Sequence, residues 1–364
     1  MHFLIEKTRD WYGRFERPIS SLSLISGFVF DALTLKRLDT LWENIWILGH
    51  IIIVALFMAL VHMEEREIGD EGNPQKKHFW YVNIIQFFFG GLLSAYIVFY
   101  FRSTDIFATW PFILILALAF IANESLKRHY IRFSFQISLL FLSIYSFAIY
   151  SIPVLLHQIG PWIFLLSGLL SIIFIILFIL IIYYFKKSEF KESKKIITFL
   201  IIGITIFINF LYFTNLIPPI PLSIKDADVY HFIQKNQDGN YDVTYEDHGW
   251  TNYFKLYKDF KRAPASPIYA YSAIFSPTGL DITVVHEWQH YDEIKNKWIT
   301  SSIINLKVTG GRDEGFRTYS MRSNLESGKW RVNVNTLSGQ IIGRIRFNII
   351  STEIEPILIS GIKE

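Results

Sequence analysis

The sequence predicts a membrane α-helical bundle of about seven transmembrane helices followed by an all-β, Ig-like sandwich domain. Hydrophobic residues make up 51% of the 364 residues and charged residues only 18%, which is more apolar than is usual for a soluble protein of this length. Apolar segments long enough to cross a bilayer recur up to Leu216. Beyond them, apolar and polar residues alternate, which is typical of half-buried strands.

Six apolar segments of about 20 residues, the length that spans the hydrocarbon core, follow one another in the N-terminal part. A weaker segment, Ile19–Leu35, precedes them and contains Asp31 and several serines, so its hydropathy fits either a spanning or an interfacial helix. The six stronger segments are Trp42–Val61, Val82–Phe101, Ile106–Ala122, Ile131–Tyr150, Trp162–Phe185 and Ile196–Leu216.

The distribution of basic residues decides between these two possibilities. If the first segment spans, one side of the membrane carries 15 lysines and arginines and the other side 3, whereas the split is 11 against 7 if it does not span. Basic residues concentrate on the cytoplasmic side of membrane proteins. The sequence therefore predicts seven spans with a cytoplasmic N-terminus, and it places everything after Leu216 outside the cytoplasm.

A group of polar residues in this part falls at one predicted membrane depth, near the external side. Ionisable residues in membrane segments often mark functional sites, so a small-molecule or lipid-handling path is one interpretation. The other is interfacial solvation together with a structural ion pair between Asp31 and an arginine. The group consists of Asp31, His50, Arg102, Asp105 and His157.

Three closely spaced prolines, Pro218, Pro219 and Pro221, mark a domain boundary because proline cannot continue a helix. Asp238-Gly239 and Ser338-Gly339 then each connect two alternating segments as predicted β-hairpins. The other predicted strands are Ile268–Phe275, Trp298–Val308 and Phe316–Arg322. We expect a cytoplasmic tail at 1–18, a transmembrane domain at 19–216, a Pro-rich linker at 217–227, a periplasmic β-sandwich at 228–352 and a C-terminal tail at 353–364.

One motif, His286-Glu287-Trp288-Gln289-His290, matches the H-E-x-x-H pattern of zinc proteases. That chemistry needs both histidines on one helical face with the glutamate as general base, and Glu314 is a candidate third ligand. The preceding residues Ile282-Thr283-Val284-Val285 are mostly β-branched, and this favours a strand with partly exposed histidines. In a strand the two histidines lie about 13 Å apart and cannot share one ion.

The C-terminal part resembles the bacterial domain of unknown function 2914. The resemblance covers roughly 80 residues, from about Tyr269 to Ile349, and rests on five motifs. It implies a strand at the His-Glu-x-x-His match and an inner-membrane protein with a periplasmic sandwich, and it implies no activity. The motifs are the His286–His290 segment, the turn Gly310-Gly311-Arg312, the strand Arg317-Thr318-Tyr319-Ser320 and the strand Gly328-Lys329-Trp330-Arg331-Val332, followed by a strand from Gly339 to Phe347.

Candidate binding residues in this part are arginines that could meet an anionic partner and aromatic residues that could stack on a sugar, although core packing also explains the aromatic residues. They are Arg312, Arg317, Tyr319, Trp288 and Trp330. The chain has no cysteine, which excludes disulfides and thiolate catalysis, and its net charge of +3 does not indicate a nucleic-acid partner. No cofactor is expected.

The sequence therefore favours a non-catalytic protein of the bacterial inner membrane whose partners are the lipid bilayer and an envelope protein or glycan bound by the periplasmic sandwich. Two alternatives stay open. One is a membrane-anchored zinc protease that uses Glu287, His286 and His290, and the other is a small-molecule or lipid-handling protein that uses the polar group near the external side.

Overall fold

The computed structural model describes two units, one helical and one rich in strands. The strand-rich unit contains the chain from Asn215 onward together with Leu156–Pro161. The described residues are 25–35, 40–64, 79–102, 113–121, 133–185, 187–217, 219, 221–247, 255–263, 266–309, 315–353 and 356–363.

Each of the seven predicted apolar segments contains a helix. Within the described residues these are α1 (Ile25–Thr34), α2 (Leu41–Glu64), α3 (Phe79–Arg102), α4 (113–121), α5 (Phe133–Leu156), α6 (Pro161–Phe185) and α7 (Lys187–Phe213). Five of them, α2, α3, α5, α6 and α7, are long and apolar enough to cross a membrane. The prediction of an apolar helical bundle is confirmed to that extent.

Two helices extend beyond their predicted limits. α5 continues through Pro153 to Leu156 rather than ending at Tyr150. α7 begins at Lys187, within the basic segment expected to be a loop, because its lysines and glutamates are good helix formers. Side-chain hydrogen bonds link α3 to α5: the Tyr96 hydroxyl donates to the Ser143 carbonyl over 2.7 Å. A second link joins α2 to α5, where His62 Nε2 lies 2.9 Å from Gln136 Oε1.

The strand-rich unit contains eleven strands among its described residues, in three sheets. The sheet orders are β1-β5-β8, β4-β10-β9-β6-β7 and β11-β3-β2. Neighbouring strands are antiparallel, except that β4 runs parallel to β10. The strands are β1 (Ser223–Tyr230), β2 (Phe232–Lys235), β3 (Tyr241–Glu246), β4 (Lys258–Arg262), β5 (Ile268–Phe275), β6 (Ile282–Asp292), β7 (Lys297–Val308), β8 (Phe316–Arg322), β9 (Gly328–Thr336), β10 (Ile341–Ser351) and β11 (Leu358–Lys363).

The sheet β1-β5-β8 forms the middle of three layers. One of its faces packs on the five-stranded sheet through a core that includes Ala270, Trp288 and Phe347. Its other face packs on the sheet β11-β3-β2, where Tyr271 lies in a cluster with Val243. Both faces of β5 are therefore buried, which explains why almost every residue of this strand is inaccessible. A two-sheet sandwich was expected, whereas the described residues of this unit form three sheets.

The ends of this unit differ from the predicted boundaries. β1 begins at Ser223, inside the segment assigned to the linker, because it pairs with β5 from Ser223 opposite Phe275. β11 occupies much of the segment assigned to a C-terminal tail, where it adds to the edge of β3. An ion pair of 2.7 Å between Lys363 and Asp226 also holds β11 against β1. The two predicted hairpin turns are confirmed, with Gly239 and Gly339 at φ 83° and 82°.

Candidate functional site

The His-Glu-x-x-His segment lies in the middle of β6 and is a strand, as predicted. His286 points into the core together with Val284 and Trp288, and all three are 0% exposed. Its Nε2 lies 2.9 Å from the Ser272 hydroxyl and its Nδ1 lies 2.8 Å from the Ser320 hydroxyl. Burial lowers the pKa of His286 to about 4, so the ring is neutral at physiological pH. The expectation of a partly exposed histidine therefore holds for His290 and not for His286.

This geometry does not fit the zinc-protease pattern. Alternate residues of a strand point to opposite faces, so Glu287 lies on the other side of the sheet from both histidines. Both nitrogens of His286 already bond serine hydroxyls, and one neutral imidazole offers one donor and one acceptor for them. Within the described ranges, no group of three or more histidine, aspartate or glutamate side chains is arranged to hold a metal. The candidate third ligand, Glu314, lies outside the described residues.

The face of the five-stranded sheet that points away from the core carries a set of polar and aromatic side chains, which we call the polar face. Residues paired across antiparallel strands share a face, so the register defines its rows. In one row Arg346, Arg331, Gln289 and Thr300 are successive partners, and in the next row Arg344, Asn333, Glu287 and Ile303 are. The polar face consists of Glu287, Gln289, Tyr291, Trp298, Thr300, Ile303, Lys329, Arg331, Asn333, Asn335, Arg344 and Arg346.

A β-bulge in β7 brings one of these side chains into place. Trp288 pairs with Ser302 whereas Gln289 pairs with Thr300, so Ser301 is an extra residue of β7. The bulge changes the alternation of β7 at this point, and Thr300 therefore points to the polar face. Its hydroxyl donates to Glu287 Oε1 over 2.7 Å.

The carboxylate of Glu287 lies at the centre of the polar face and accepts four hydrogen bonds. Its Oε1 accepts from Thr300 and from Gln289 Nε2 over 2.7 Å each, and its Oε2 accepts from the side-chain amides of Asn333 and Asn335 over 3.1 Å each. Burial acts to raise the pKa of Glu287, but the four hydrogen bonds outweigh it and the pKa is lowered. The carboxylate is therefore a fixed anion that orients its neighbours rather than a free general base.

Arginine side chains surround this carboxylate. Arg331 Nε donates to Gln289 Oε1 over 2.6 Å, and the guanidinium carbon lies 4.3 Å from the centre of the Trp298 ring. Arg344 Nε donates to Asn333 Oδ1 over 2.6 Å. Burial, together with the nearby charge of Arg344, lowers the pKa of Arg331 to about 10. The polar face therefore has a positive potential, and guanidinium groups held by stacking and by Nε can bind anions through their remaining nitrogens.

Four of the five residues predicted to bind a partner are described, and they lie outside the polar face. Trp288 and Trp330 are 0% and 3% exposed and belong to the core, so their rings are not available at the surface. Tyr319 packs against Tyr241, with ring centres 5.9 Å apart. Arg317 donates to the Asn240 side chain and to the Lys363 carbonyl over 3.0 Å each, which is a structural role between sheets.

The predicted arginine Arg312 lies outside the described residues. Sequence reasoning missed Arg331, Arg344 and Arg346 as site residues. The signal that could have found them is their spacing: each alternates with core residues in the two strands of one predicted hairpin, so they share its outer face.

The polar group predicted near the external side of the membrane is described only in part. Asp31 in α1 and His50 in α2 are 7% and 9% exposed, and His50 Nδ1 donates to the Trp46 carbonyl over 2.8 Å. His157 follows α5, is exposed and belongs to the strand-rich unit. The side chain of Arg102 and the whole of Asp105 lie outside the described residues. These positions leave the transport alternative as an untested prediction.

A family model described as "Protein of unknown function (DUF2914)" matches residues 281–349. The matched segment contains β6, β7, β8 and β9 and most of β10. Three of the five strands that form the sheet of the polar face, and most of a fourth, therefore lie within it. No curated protein matches the chain.

Among solved structures, a β-glucosidase from Listeria innocua in complex with glucose is similar at 9% identity over 30% of this chain and 16% of that chain, with a TM-score of 0.19. The alkylpurine DNA glycosylase AlkC from Pseudomonas fluorescens, bound to DNA containing an abasic site analog, is similar at 10% identity over 86% of this chain and 99% of that chain, with a TM-score of 0.21. Neither similarity supports an argument about fold or function.

Proposed function

We propose that this chain is a bacterial inner-membrane protein whose strand-rich unit is a periplasmic, Ig-like sandwich with an added sheet, and that this unit binds an envelope component, a protein or a glycan, without catalysis. The binding surface is the polar face. The observation that carries the proposal is the arrangement of Arg331, Arg344 and Arg346 around the fixed carboxylate of Glu287 on an outer sheet face.

The membrane location and the orientation are supported by the helices and by their flanking charges. Five described helices have the length and composition of membrane spans. The split of 15 basic residues against 3 favours a cytoplasmic N-terminus and a periplasmic strand-rich unit.

A binding role without catalysis is supported by the state of the two groups that could otherwise act as bases. His286 is enclosed in the core, and Glu287 has its two oxygens occupied by four donors. Catalytic bases need a partly free lone pair within reach of a substrate. The ordered amides and guanidinium groups are instead suited to recognition.

The proposal can be tested by site-specific photo-cross-linking in living cells with the full-length protein. A photoreactive amino acid replaces Ile303, which lies on the polar face opposite Glu287 and is 63% exposed. The matched control is Ile362 of β11, which is 62% exposed and lies on another sheet. We expect adducts from position 303 that Arg331→Gln suppresses. We expect no adduct of the same size from position 362.

Two results would contradict the proposal. One is the absence of adducts at position 303 in correctly inserted protein. The other is adducts of the same size at both positions, unaffected by Arg331→Gln, because these would reflect exposure rather than recognition.

A further inference from the structure

The charge and hydrogen-bonding pattern of the polar face specify a class of ligand. This inference rests on the proposed function and deepens it. We propose that the polar face binds an acidic glycan, a polysaccharide that carries carboxylate or phosphate groups along a hydroxylated backbone.

The polar face holds several positive charges close together. Arg331 and Arg346 are direct partners across β9 and β10, and Arg344 lies one row away on the same face. Like charges directly opposite each other destabilise a sheet unless an anion neutralises them. Glu287, the acidic residue of the polar face, supplies one negative charge beside these three positive charges.

One arginine of the polar face has unused hydrogen-bonding capacity. Arg331 uses Nε for Gln289 and its planar surface for Trp298. Within the part of the chain that the structure describes, its two terminal amino groups donate no hydrogen bond. These groups form the fork that binds carboxylate and phosphate in a bidentate manner. The side chain is thus held in place with its anion-binding end available.

Two features of the polar face favour a glycan over a simple anion. Asn335 is 8% exposed, and its Oδ1 is a buried acceptor without a hydrogen-bond donor among the described residues. A buried acceptor of this kind needs a hydrogen-bond donor, and a sugar supplies hydroxyl donors in every ring. From Lys329 to Asn335 the face extends for about 20 Å along β9, which is longer than a single ion needs.

One end of the same face carries aromatic rings. Trp298 lies 5.2 Å from the Tyr291 ring, and its plane is within 7° of that of Tyr257, with the centres 6.4 Å apart. Rings held in this way provide rigid apolar surface beside the guanidinium groups. A polysaccharide combines apolar C–H surface, hydroxyl groups and acidic groups, so it complements both ends of the face.

The test uses the full-length protein in nanodiscs of phosphatidylcholine, a lipid without net charge. The probes are polygalacturonate, alginate and a phosphorylated mannan, each compared with the uncharged form of the same backbone: the two methyl esters and plain mannan. We expect at least one acidic polymer to bind, its uncharged form to bind about tenfold more weakly or less, and affinity to fall with added salt.

Variants connect this binding to the polar face. Arg331→Gln and Arg344→Gln should each weaken binding of the acidic polymer by about tenfold or more, because hydrogen bonds to charged groups are the strong ones. Lys235→Gln, which removes one charge from exposed β2, should leave the affinity unchanged. A thermal transition unchanged by either arginine substitution shows that the loss is not unfolding.

Several outcomes would overturn the acidic-glycan assignment. The charged and uncharged forms could bind equally, or none of the three acidic polymers could bind. Inorganic phosphate at the same concentration of anionic groups could displace the polymer completely. The protein could also bind phosphatidylglycerol vesicles instead of the polymers, in a way that depends on the arginines. If position 303 still gives specific adducts in cells in any of these cases, the proposed function stands and only the ligand class is wrong. If those adducts are also missing, both fail.

Discussion

Acidification should destabilise the strand-rich unit through a single buried side chain, His286. Its two ring nitrogens join Ser272 of β5 and Ser320 of β8, so the neutral ring links the middle sheet to the five-stranded sheet. The pKa of His286 is about 4 in the folded protein, against 6.5 for an ordinary histidine. Between these two values the unfolded chain binds the proton and the folded chain does not. Stability is therefore complete above pH 6.5 and falls as the pH decreases toward 4.

The size of the effect follows from these two values. They differ by about 2.5, which corresponds to about 3 kcal/mol at about 1.4 kcal/mol per pKa unit. Most of this loss, about 2 kcal/mol, occurs between pH 7.5 and pH 5. This window lies above the range in which aspartate and glutamate side chains ordinarily titrate, and a substitution at His286 separates its contribution from that of the other histidines.

The assay is urea unfolding of the full-length protein in nanodiscs, followed by tryptophan fluorescence because Trp288 and Trp330 lie in the core of this unit. His286→Gln is the comparison, since glutamine keeps polar atoms in the core but does not titrate. The wild-type protein should lose about 2 kcal/mol of unfolding free energy between pH 7.5 and pH 5, and the variant should lose much less. The same pH dependence in both proteins would refute the assignment of this loss to His286.

Three further predictions concern topology, metal content and backbone geometry. A reporter active only in the periplasm should be active when fused after Pro221 and silent when fused within Lys186–Lys195, and the opposite result would reverse the orientation. Elemental analysis of the purified protein should find no stoichiometric zinc, and His290→Ala should not alter the metal content. Bound zinc that is lost in that variant would restore the protease alternative. Gly315→Ala should lower the temperature of the thermal transition more than Gly239→Ala. Both glycines have positive φ, but a Cβ on Gly315 would lie 2.9 Å from backbone atoms of β5, whereas a Cβ on Gly239 would have no atom within 4 Å. Equal effects of the two substitutions would contradict this steric reason.

The features that the sequence predicted well are those with a local signal. An apolar run of about 20 residues needs no tertiary information to be identified as a candidate span. The prediction of a strand at His286–His290 also rests on a local signal, because the β-branched residues before it disfavour a helix. The Asp238-Gly239 turn belongs to the same class, since glycine is needed at the positive φ that the structure shows.

The features that were missed depend on pairing between distant strands. Arg331 and Arg346 become neighbours only when the register of β9 and β10 is known. β11 has only six residues and contains a glycine, so it is not distinguished from a tail until it pairs with the edge of β3. The burial of His286 had a signal that was not used, because this residue alternates in phase with Val284 and Trp288 and so had to share their side of the strand.

The side chains of β6 that face the core are Val284, His286 and Trp288, and those that face outward include Glu287 and Gln289. This alternation limits which changes the sequence of the domain can accept during evolution. Substitutions at outward positions can change what is recognised while the interior stays as it is. An insertion or deletion of one residue within β6 would exchange the two sides, moving a charged glutamate into the interior and a tryptophan into solvent. Homologous strands should therefore vary freely in residue type on the outward side but keep a constant length, with any added residue accommodated on β7, where the bulge at Ser301 already holds one.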